Sequence, residues 1–402
     1  MIANIIAADN IFIEFQPIVS IVDFSVLGVE GLARGRHRET IIAPLEMFGT
    51  ARDLGLTLQL DRLCQIHTLS DFASVEDKTD DRLLFINVDT SILDQSIGSK
   101  HIFQLAKEYG LSPERVVLEI NESSLQDAVR LERFTQFYQE HGFLIALDDI
   151  GSGCSNLDRI ALTKPDFLKI DKQLIQGIHT DFHKQVVLES LVTMADRLGA
   201  LVVAEGVETK EQLYCAMDRG VKLYQGYYFS HPKSIQVAQD NIAALEARMK
   251  KLSKDFQRHV IDNHRAKAQK QQLWNEMLSE LAMHLCSYHV SDYNQRLQFL
   301  VAQYTSIECI YVLNADGIQV TGTILTHADA VWHNHHVFRP AAVGHNHTLK
   351  QYYYLLQDGL SMQHQTQPYI SMATGNLCVT LSKWIADKDN TPWILCVDVV
   401  VC

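Results

Sequence analysis

The sequence predicts an α/β protein: a (β/α)8 barrel, then a long helical segment and an α+β domain. Three observations carry this prediction. Short apolar runs alternate with segments of helical spacing between Ile11 and Ser230. After Pro232 apolar residues recur at steps of three and four, and from about Cys286 the chain becomes rich in strand patterns.

Eight apolar runs predict the strands of the barrel. Helical spacing, such as that of Leu56, Leu60 and Leu63, lies between most of them. Strands that alternate with helices in this way are typical of a TIM-type barrel. The predicted strands are Ile11–Phe15, Val26–Leu32, Leu83–Val88, Val116–Ile120, Phe143–Leu147, Phe167–Ile170, Leu201–Ala204 and Tyr224–Phe229.

Polar side chains occur in or beside nearly every run, most of them near its end. The carboxyl ends of barrel strands open on one rim, so residues far apart in sequence converge there. This repetition favours a common site over a set of unrelated helix caps and surface acids. Its predicted members are Glu30, Asn87, Glu119, Asp148, Asp149, Lys169, Asp171, Glu205 and Gln225.

Two adjacent carboxylates, Asp148 and Asp149, end the fifth run, and the loop Ile150-Gly151-Ser152-Gly153 follows. Burying two carboxylates side by side is costly unless cations neutralise them. The pair therefore either holds metal or caps the next helix and pairs with basic neighbours.

The donor types at the rim are carboxylates and an amide, without His or Cys. Such a set favours Mg²⁺ or Mn²⁺ over zinc. Two such ions roughly 4 Å apart activate a water and stabilise the leaving oxygen in phosphodiester cleavage. Lys169 is the one cation among the strand ends, and it is placed to orient or deprotonate that water or to balance charge.

Composition limits the partners. The net charge of −13 argues against a broad phosphate-binding surface, and hence against DNA as a partner. Eight cysteines without a CxxC pair suggest reduced thiols. No signal-peptide pattern and no apolar run of the roughly 18 residues that span a bilayer is present, so we expect a cytoplasmic protein without membrane insertion.

At this point eight ordered motifs resemble the EAL domain, over about residues 5–235. They are Gln16-Pro17-Ile18, Glu30-Gly31-Leu32-Ala33-Arg34, Ile86-Asn87-Val88, Glu119-Ile120-Asn121-Glu122, Asp148-Asp149-Ile150-Gly151-Ser152-Gly153, Leu168-Lys169-Ile170-Asp171, Ala204-Glu205-Gly206-Val207-Glu208 and Gln225-Gly226-Tyr227. The resemblance implies metal-dependent hydrolysis of cyclic di-GMP to linear pGpG. It also implies a modified barrel whose first strand runs antiparallel to its neighbours, and a homodimer.

The resemblance further implies a role for each matching residue. One metal ion would be held by Glu30, Asn87, Glu119 and Asp148, and a second ion by Asp148, Asp149 and Glu205. The catalytic set would be Lys169, which contacts the water, with Gln225, Glu30 and the loop-bracing Glu122. The substrate would contact Gln16, Leu32, Arg34 (at a phosphate), Asp171 and Glu208 (at a guanine edge).

Two positions depart from the family pattern. Gly31 stands where the Glu-Ala-Leu motif that names the family has alanine. Ile150 stands where the family has phenylalanine in the loop after the two aspartates. Neither residue carries a ligand atom, so the departures concern the stiffness of the loop that feeds the dimer (150–157) rather than the metal site.

The segment 236–285 is predicted to be helical, as one helix or two. Its first apolar seam is Ile242, Leu245, Met249, Leu252 and Phe256, and its second is Leu273, Trp274, Leu278, Leu281 and Leu285. The seams fit a dimer-forming signalling helix or a helix packed against its own domain. The domains are therefore 1–235, 236–285 and 286–402.

Residues 286–402 predict a hairpin, Ile307–Leu313 and Ile318–Leu325 around Asn314–Gly317, and further strands at Leu377–Leu381 and Trp393–Val401. They resemble PAS/Cache-like sensory domains, and more narrowly the C-terminal domain of YkuI-type EAL proteins, which implies an unknown small ligand. The aromatic residues Tyr352, Tyr353, Tyr354 and Trp384 either line a pocket or belong to the core. The histidines 333, 335, 336, 345 and 347 suggest either a metal or anion site or a loop facing solvent.

The resulting expectation is a cyclic di-GMP phosphodiesterase tuned by its C-terminal domain. The alternatives are a receptor that binds cyclic di-GMP without cleaving it, and an inert barrel that serves as a scaffold. The intact set of ligand residues favours the enzyme.

Overall fold

The computed structural model describes residues 2–75, 81–89, 100–121, 128–152, 157–326, 337–357 and 361–400. The chain divides into two compact units, Met1–Ile261 and Asp262–Cys402. Within the described ranges, no helix combines the length and the apolar character needed to cross a bilayer.

The first unit is a closed barrel, as predicted. Its strands β2 and β4 to β9 pair in parallel in chain order, and β1 closes the ring by pairing antiparallel with both β2 and β9. This confirms the antiparallel first strand that the family resemblance implied. The short β3 extends β2 outside the ring. The strands are β1 Ile11–Ser20, β2 Ser25–His37, β3 Thr40–Ile42, β4 Leu83–Val88, β5 Val116–Asn121, β6 Leu144–Ile150, β7 Phe167–Ile170, β8 Leu201–Ala204 and β9 Leu223–Tyr224.

Helices cover the outside of the ring, and their apolar faces form the larger core with the outward-facing strand residues. They span Ile2–Ala7, Pro44–Asp53, Thr57–Ser74, His101–Glu108, Ala128–Glu140, Leu157–Thr163, Lys172–Ile175, Phe182–Leu198 and Lys210–Met217.

The predicted eighth run, Tyr224–Phe229, was wrong in its bounds. The strand ends at Tyr224, and the chain turns away at Gly226, whose φ is +154°. A Cβ there would lie 2.2 Å from the carbonyl oxygen of Val207, so only glycine allows the two backbones to approach this closely.

The inside of the barrel holds a separate apolar layer to which seven strands contribute one fully buried side chain each. The rings of Phe85 and Phe167 meet edge to face in this layer, with centroids 5.2 Å apart. The members are Ile18, Phe85, Val117, Ala146, Phe167, Val203 and Leu223.

The predicted helical segment is one helix, Ile235–Cys286. Leu245, Met249 and Phe256 of its first seam are buried in the core of the barrel unit, and Phe256 stacks on Phe24 with ring centroids 6.0 Å apart. Of the two interpretations of this seam, the structure therefore shows the helix packed against its own domain. In the second seam, Leu273 is 64% exposed, whereas Leu278, Leu281 and Leu285 are buried in the core of the second unit.

The second unit is α+β, as predicted. Its antiparallel sheet runs in the order β11-β10-β15-β14-β12, with β13 also paired to β14. One face packs against Leu278, Leu281 and Leu285 of the long helix and against the helix Tyr293–Val301. The other face meets the segment that carries the short helix Gln351–Tyr354. The strands are β10 Ile307–Leu313, β11 Ile324–Leu325, β12 Gln363–Gln365, β13 Tyr369–Ile370, β14 Leu377–Ala386 and β15 Pro392–Val400.

The predicted hairpin is confirmed at its turn but not along its second strand. Asn314 closes the turn and Gly317 has φ +76°. Beyond the turn, ladder pairing continues only at the bridge between Leu313 and Gln319 and at Ile324–Leu325.

Candidate active site

A polar layer lies directly above the apolar layer inside the barrel. Side chains alternate along a strand, so the residue two places nearer the rim faces inward as well. Two places on from Phe85 stands Asn87, and the same step leads from Phe167 to Lys169. In the antiparallel β1 the step runs backwards, from Ile18 to Gln16. One residue in or beside each strand thus forms the layer: Gln16, Glu30, Asn87, Glu119, Asp148, Lys169, Glu205 and Gln225.

Lys169 is the hub of this layer and is only 1% exposed. Its Nζ lies 2.5 Å from Glu119 Oε1, 2.7 Å from Glu205 Oε1, 3.1 Å from Glu30 Oε2 and 3.8 Å from Asp148 Oδ1. Burial alone would lower the pKa of Lys169, but the surrounding carboxylates raise it well above its usual value. The lysine is therefore charged.

Glu30 is fixed by amide donors as well as by the lysine. Its Oε1 accepts a hydrogen bond from Asn87 Nδ2 (3.1 Å), and its Oε2 accepts one from Gln225 Nε2 (2.7 Å). Gln225 Nε2 also lies 3.3 Å from Gln16 Oε1, and Gln16 Nε2 donates to the carbonyl of Ser230. Burial acts to raise the pKa of Glu30, but Lys169 and these amide donors together lower it.

A bulge lets two consecutive aspartates serve the same rim. The register of β6 against β7 shifts between Leu147 and Ile150, and Asp149 takes up φ +60°, a left-handed conformation that aspartate tolerates. Asp148 keeps its place in the inner layer, while Asp149 accepts a hydrogen bond from Asn121 Nδ2. Without the bulge, the two side chains would point to opposite faces of the sheet.

The layer holds more negative charge than its own cation can balance. Glu30, Glu119, Asp148 and Glu205 face a single lysine. Burial raises the pKa of Glu119 and Glu205 well above the usual range and that of Asp148 to about 6. Such crowding is expected where carboxylates are arranged to receive metal cations.

Glu119 gives an independent indication that the site fits metal. Both of its carboxylate oxygens are buried, and among the described residues neither accepts a hydrogen bond of good geometry, although Lys169 Nζ lies close to Oε1. Both oxygens thus keep lone pairs free. Together with the all-oxygen donor set, this suits a hard divalent ion.

Two cavities meet at this layer. One, of about 310 Å³, is bounded by the inner layer and by Glu208, Lys172 and Tyr227. The other, of about 430 Å³, is bounded by Asn87, Asn121 and the helices Pro44–Asp53 and Thr57–Ser74. Glu30 and Leu32 line both cavities. The predicted substrate residues Gln16, Leu32 and Glu208 therefore all line the smaller cavity.

The other predicted residues are Asp171, Arg34 and Glu122. Asp171 lies beside Asp149 and caps the helix Lys172–Ile175, accepting a hydrogen bond from Gln173 N at 2.7 Å. Arg34 is held by Glu14, with Nε 3.0 Å from Oε2. Glu122 lies outside the described residues.

The structure accounts for the two departures from the family motifs. A Cβ at Gly31 would lie 2.4 Å from Thr68 Cγ2, so the helix side chain fills the space that an alanine methyl would need. Ile150 is 1% exposed, and its carbonyl accepts a hydrogen bond from Asp171 N at 3.0 Å. The loop start is therefore anchored without an aromatic ring.

Two residues of the site were missed from the sequence. Asn121 is the last residue of β5 and lies opposite Asp148 in the sheet, the same strand-end signal that identified Asn87. Lys172 follows Lys169 by three residues and lines the smaller cavity, adding a cation at its mouth.

The comparison with known families agrees with this geometry. The profile of the EAL domain matches residues 1–232. The chain therefore belongs to the EAL domain family.

Individual relatives extend the similarity. YkuI, an EAL-domain containing protein of Bacillus subtilis (strain 168), is 27% identical over 397 residues, which cover 94% of this chain and 93% of YkuI. The crystal structure of YkuI in complex with its substrate cyclic di-GMP and calcium superposes with a TM-score of 0.81 at 24% identity, covering 100% of this chain and 99% of that one. This likeness shows the shared fold and confirms the resemblance to YkuI-type proteins.

NbdA of Pseudomonas aeruginosa, a cyclic di-GMP phosphodiesterase, is 29% identical over 243 residues. The match covers 59% of this chain but only 30% of NbdA. The chain thus spans nearly all of YkuI and less than a third of NbdA.

Proposed function

We propose that this protein is a metal-dependent phosphodiesterase that hydrolyses cyclic di-GMP to linear pGpG. The observation that carries the proposal is the complete inner layer, in which four carboxylates surround the buried Lys169. Membership of the EAL family and similarity to NbdA, a cyclic di-GMP phosphodiesterase, support the substrate.

Charge balance supports two divalent ions. Glu30, Asn87, Glu119 and Asp148 would hold one ion, and Asp148, Asp149 and Glu205 the other, with Mg²⁺ or Mn²⁺ as the ions that the oxygen donors favour. When all five carboxylates are ionised, they carry five negative charges, and Lys169 balances one of them. Two divalent ions would balance the remaining four. When bound, the ions supply an activated water and stabilise the leaving oxygen.

The side chains of this chain supply orientation and proton control. The ammonium of Lys169 can balance the charge that develops on the phosphate, and it can donate a hydrogen bond to the attacking water once a carboxylate turns from it to a metal ion. Gln225 holds Glu30 through its Nε2, and its Oε1 accepts no hydrogen bond among the described residues, so it can accept one from the water.

Arg34 would bind a substrate phosphate. Its guanidinium is already paired with Glu14. The phosphate would therefore replace Glu14 or bind beside it, and no free side chain would have to be ordered. Glu208, exposed at the mouth of the smaller cavity, would accept hydrogen bonds from a guanine edge.

The test is a turnover assay of the purified chain with cyclic di-GMP and Mg²⁺ or Mn²⁺. We expect linear pGpG from the wild-type protein and none from Glu30→Ala. Glu30→Gln is the matched variant, because it keeps the shape but removes the charge. Tight binding of cyclic di-GMP by the wild type without any linear product would instead establish a receptor.

Regulation, assembly and location belong to the same proposal. We expect residues 286–402 to tune turnover, the chain to form a homodimer, and the protein to act in the cytoplasm. The six cysteines of the described ranges are all free thiols, which suits a reducing compartment. Light scattering tests the dimer: a monomer with full activity would contradict it.

A further inference from the structure

The second unit contains a cavity of about 350 Å³ on the sheet face opposite the long helix and the helix Tyr293–Val301. On this face Tyr311 and Cys396 pack with Tyr352, whereas the alternate residues Val312 and Val397 pack against the helices. The volume lies at the lower end of the roughly 300–1,000 Å³ typical of small-molecule sites. The phosphodiesterase site does not account for this cavity.

Asp398 forms the acidic part of the cavity and is only 2% exposed. Its Oδ1 accepts a hydrogen bond from Thr380 Oγ1 (2.8 Å), and its Oδ2 accepts from Ser371 Oγ (3.2 Å) and from the Cys309 thiol (3.3 Å). All three donors are neutral. Burial raises the pKa of Asp398, and the nearby Glu308 adds to that rise. A positively charged group would be attracted here.

The neighbouring histidine does not supply that charge. Gln319 Nε2 donates to the Thr321 and Ala341 carbonyls, so its Oε1 faces His347 Nε2 at 2.9 Å and accepts the ring proton. His347 Nδ1 then accepts from Tyr352 OH at 2.7 Å. Burial lowers the pKa of His347 to about 4, so the ring is neutral. This corrects the expectation of a histidine facing solvent; histidines 333, 335 and 336 lie outside the described residues.

The cations of the cavity are at its opening. Arg339 and Lys350 line the same cavity and are both exposed, whereas Asp398 is buried. The cavity is therefore bipolar, with a carboxylate inside and guanidinium and ammonium groups outside.

We infer that this cavity binds a small zwitterion with the amine and carboxylate of a free amino acid. The ammonium would meet Asp398, and the carboxylate would meet Arg339 and Lys350, while the rings of Tyr311, Tyr352 and Tyr369 bound the space for the side chain. A dicarboxylate would place an anion against Asp398, and a diamine would place a cation against Lys350, so neither suits both ends.

The experiment is calorimetric titration of the full chain with each of the twenty standard L-amino acids, without cyclic di-GMP or divalent metal. These conditions make the result independent of catalysis. For each amino acid that binds, the analogue lacking the amine and the analogue lacking the carboxylate are titrated as well. For phenylalanine these are 3-phenylpropionate and 2-phenylethylamine.

We expect at least one amino acid to bind and both of its analogues to bind at least about tenfold more weakly, because each loses a charge-assisted hydrogen bond. Lys350→Ala and Asp398→Asn should weaken binding by a similar factor. Lys388→Ala, an exposed lysine outside the cavity, is the matched control and should leave binding unchanged.

Three results would overturn the inference: no amino acid binds, an analogue binds as tightly as its parent, or Lys350→Ala binds like Lys388→Ala. Should Asp398→Asn fail to fold, judged by circular dichroism, the exposed Lys350 variant and the analogues still decide the question.

Discussion

Replacing Lys169 with methionine tests the central feature of the site. Methionine matches the lysine side chain as far as Cε and lacks its charged Nζ. In the structure Lys169 Nζ lies within 3.1 Å of Glu30, Glu119 and Glu205, and the side chain is 1% exposed. The variant therefore leaves several buried carboxylates without their cation.

The size of the effect follows from this burial. Removing one partner of a buried ion pair costs about 3–5 kcal/mol. In a chelating buffer we expect Lys169→Met to lower the free energy of unfolding by about 3 kcal/mol, because protonation of a crowded carboxylate relieves part of the repulsion. With a urea dependence of roughly 3 kcal/mol per molar, this shifts the unfolding midpoint of the barrel by about 1 M.

The positions of the tryptophans allow the two units to be followed separately. All four, Trp274, Trp332, Trp384 and Trp393, belong to the second unit. Far-ultraviolet circular dichroism reports on the barrel as well. We expect Lys169→Met to move the dichroism transition while the tryptophan transition stays in place, and Mg²⁺ to recover part of the loss by restoring positive charge.

Lys107→Met, at an exposed position of the barrel unit, is the matched control. A Lys169 variant that unfolds within about 0.5 kcal/mol of this control would refute the reasoning, since surface substitutions fall in that range. Full turnover by the variant would remove the lysine from the mechanism.

Three further predictions concern the barrel. Gly226→Ala should lower the free energy of unfolding by about 2–4 kcal/mol, because its Cβ would meet the backbone of Val207, and it should reduce turnover by displacing Gln225. The control is Gly49→Ala, which has open space around it and should change the free energy of unfolding by at most about 1 kcal/mol. A fragment ending at residue 235 should be about 4–9 kcal/mol less stable than one ending at 261, because three large helix side chains leave the core; equal urea midpoints would contradict this. Wild-type protein should melt at a higher temperature with Mg²⁺ than with a chelator, and coincident melting curves would argue against a metal site.

Much of the candidate site could be predicted because its residues carry local signals. Carboxylates and amides at the ends of apolar runs identified Glu30, Asn87, Glu119, Asp148 and Glu205 without any knowledge of their contacts. Asn121 was missed although it carries the same signal. Other features depended on contacts between distant segments, such as the Arg34–Glu14 pair and the burial of His347.

The sequence by itself determined the order of the elements, the side chains that face inward and the donor chemistry, because alternation and helical spacing are properties of neighbouring residues. Only the tertiary structure decided how these parts meet. It closed the barrel with an antiparallel strand, re-aimed Asp149 through a bulge and placed the first seam of the long helix in the barrel core. Each of these outcomes depends on packing between residues remote in sequence, whose free energy no local pattern contains.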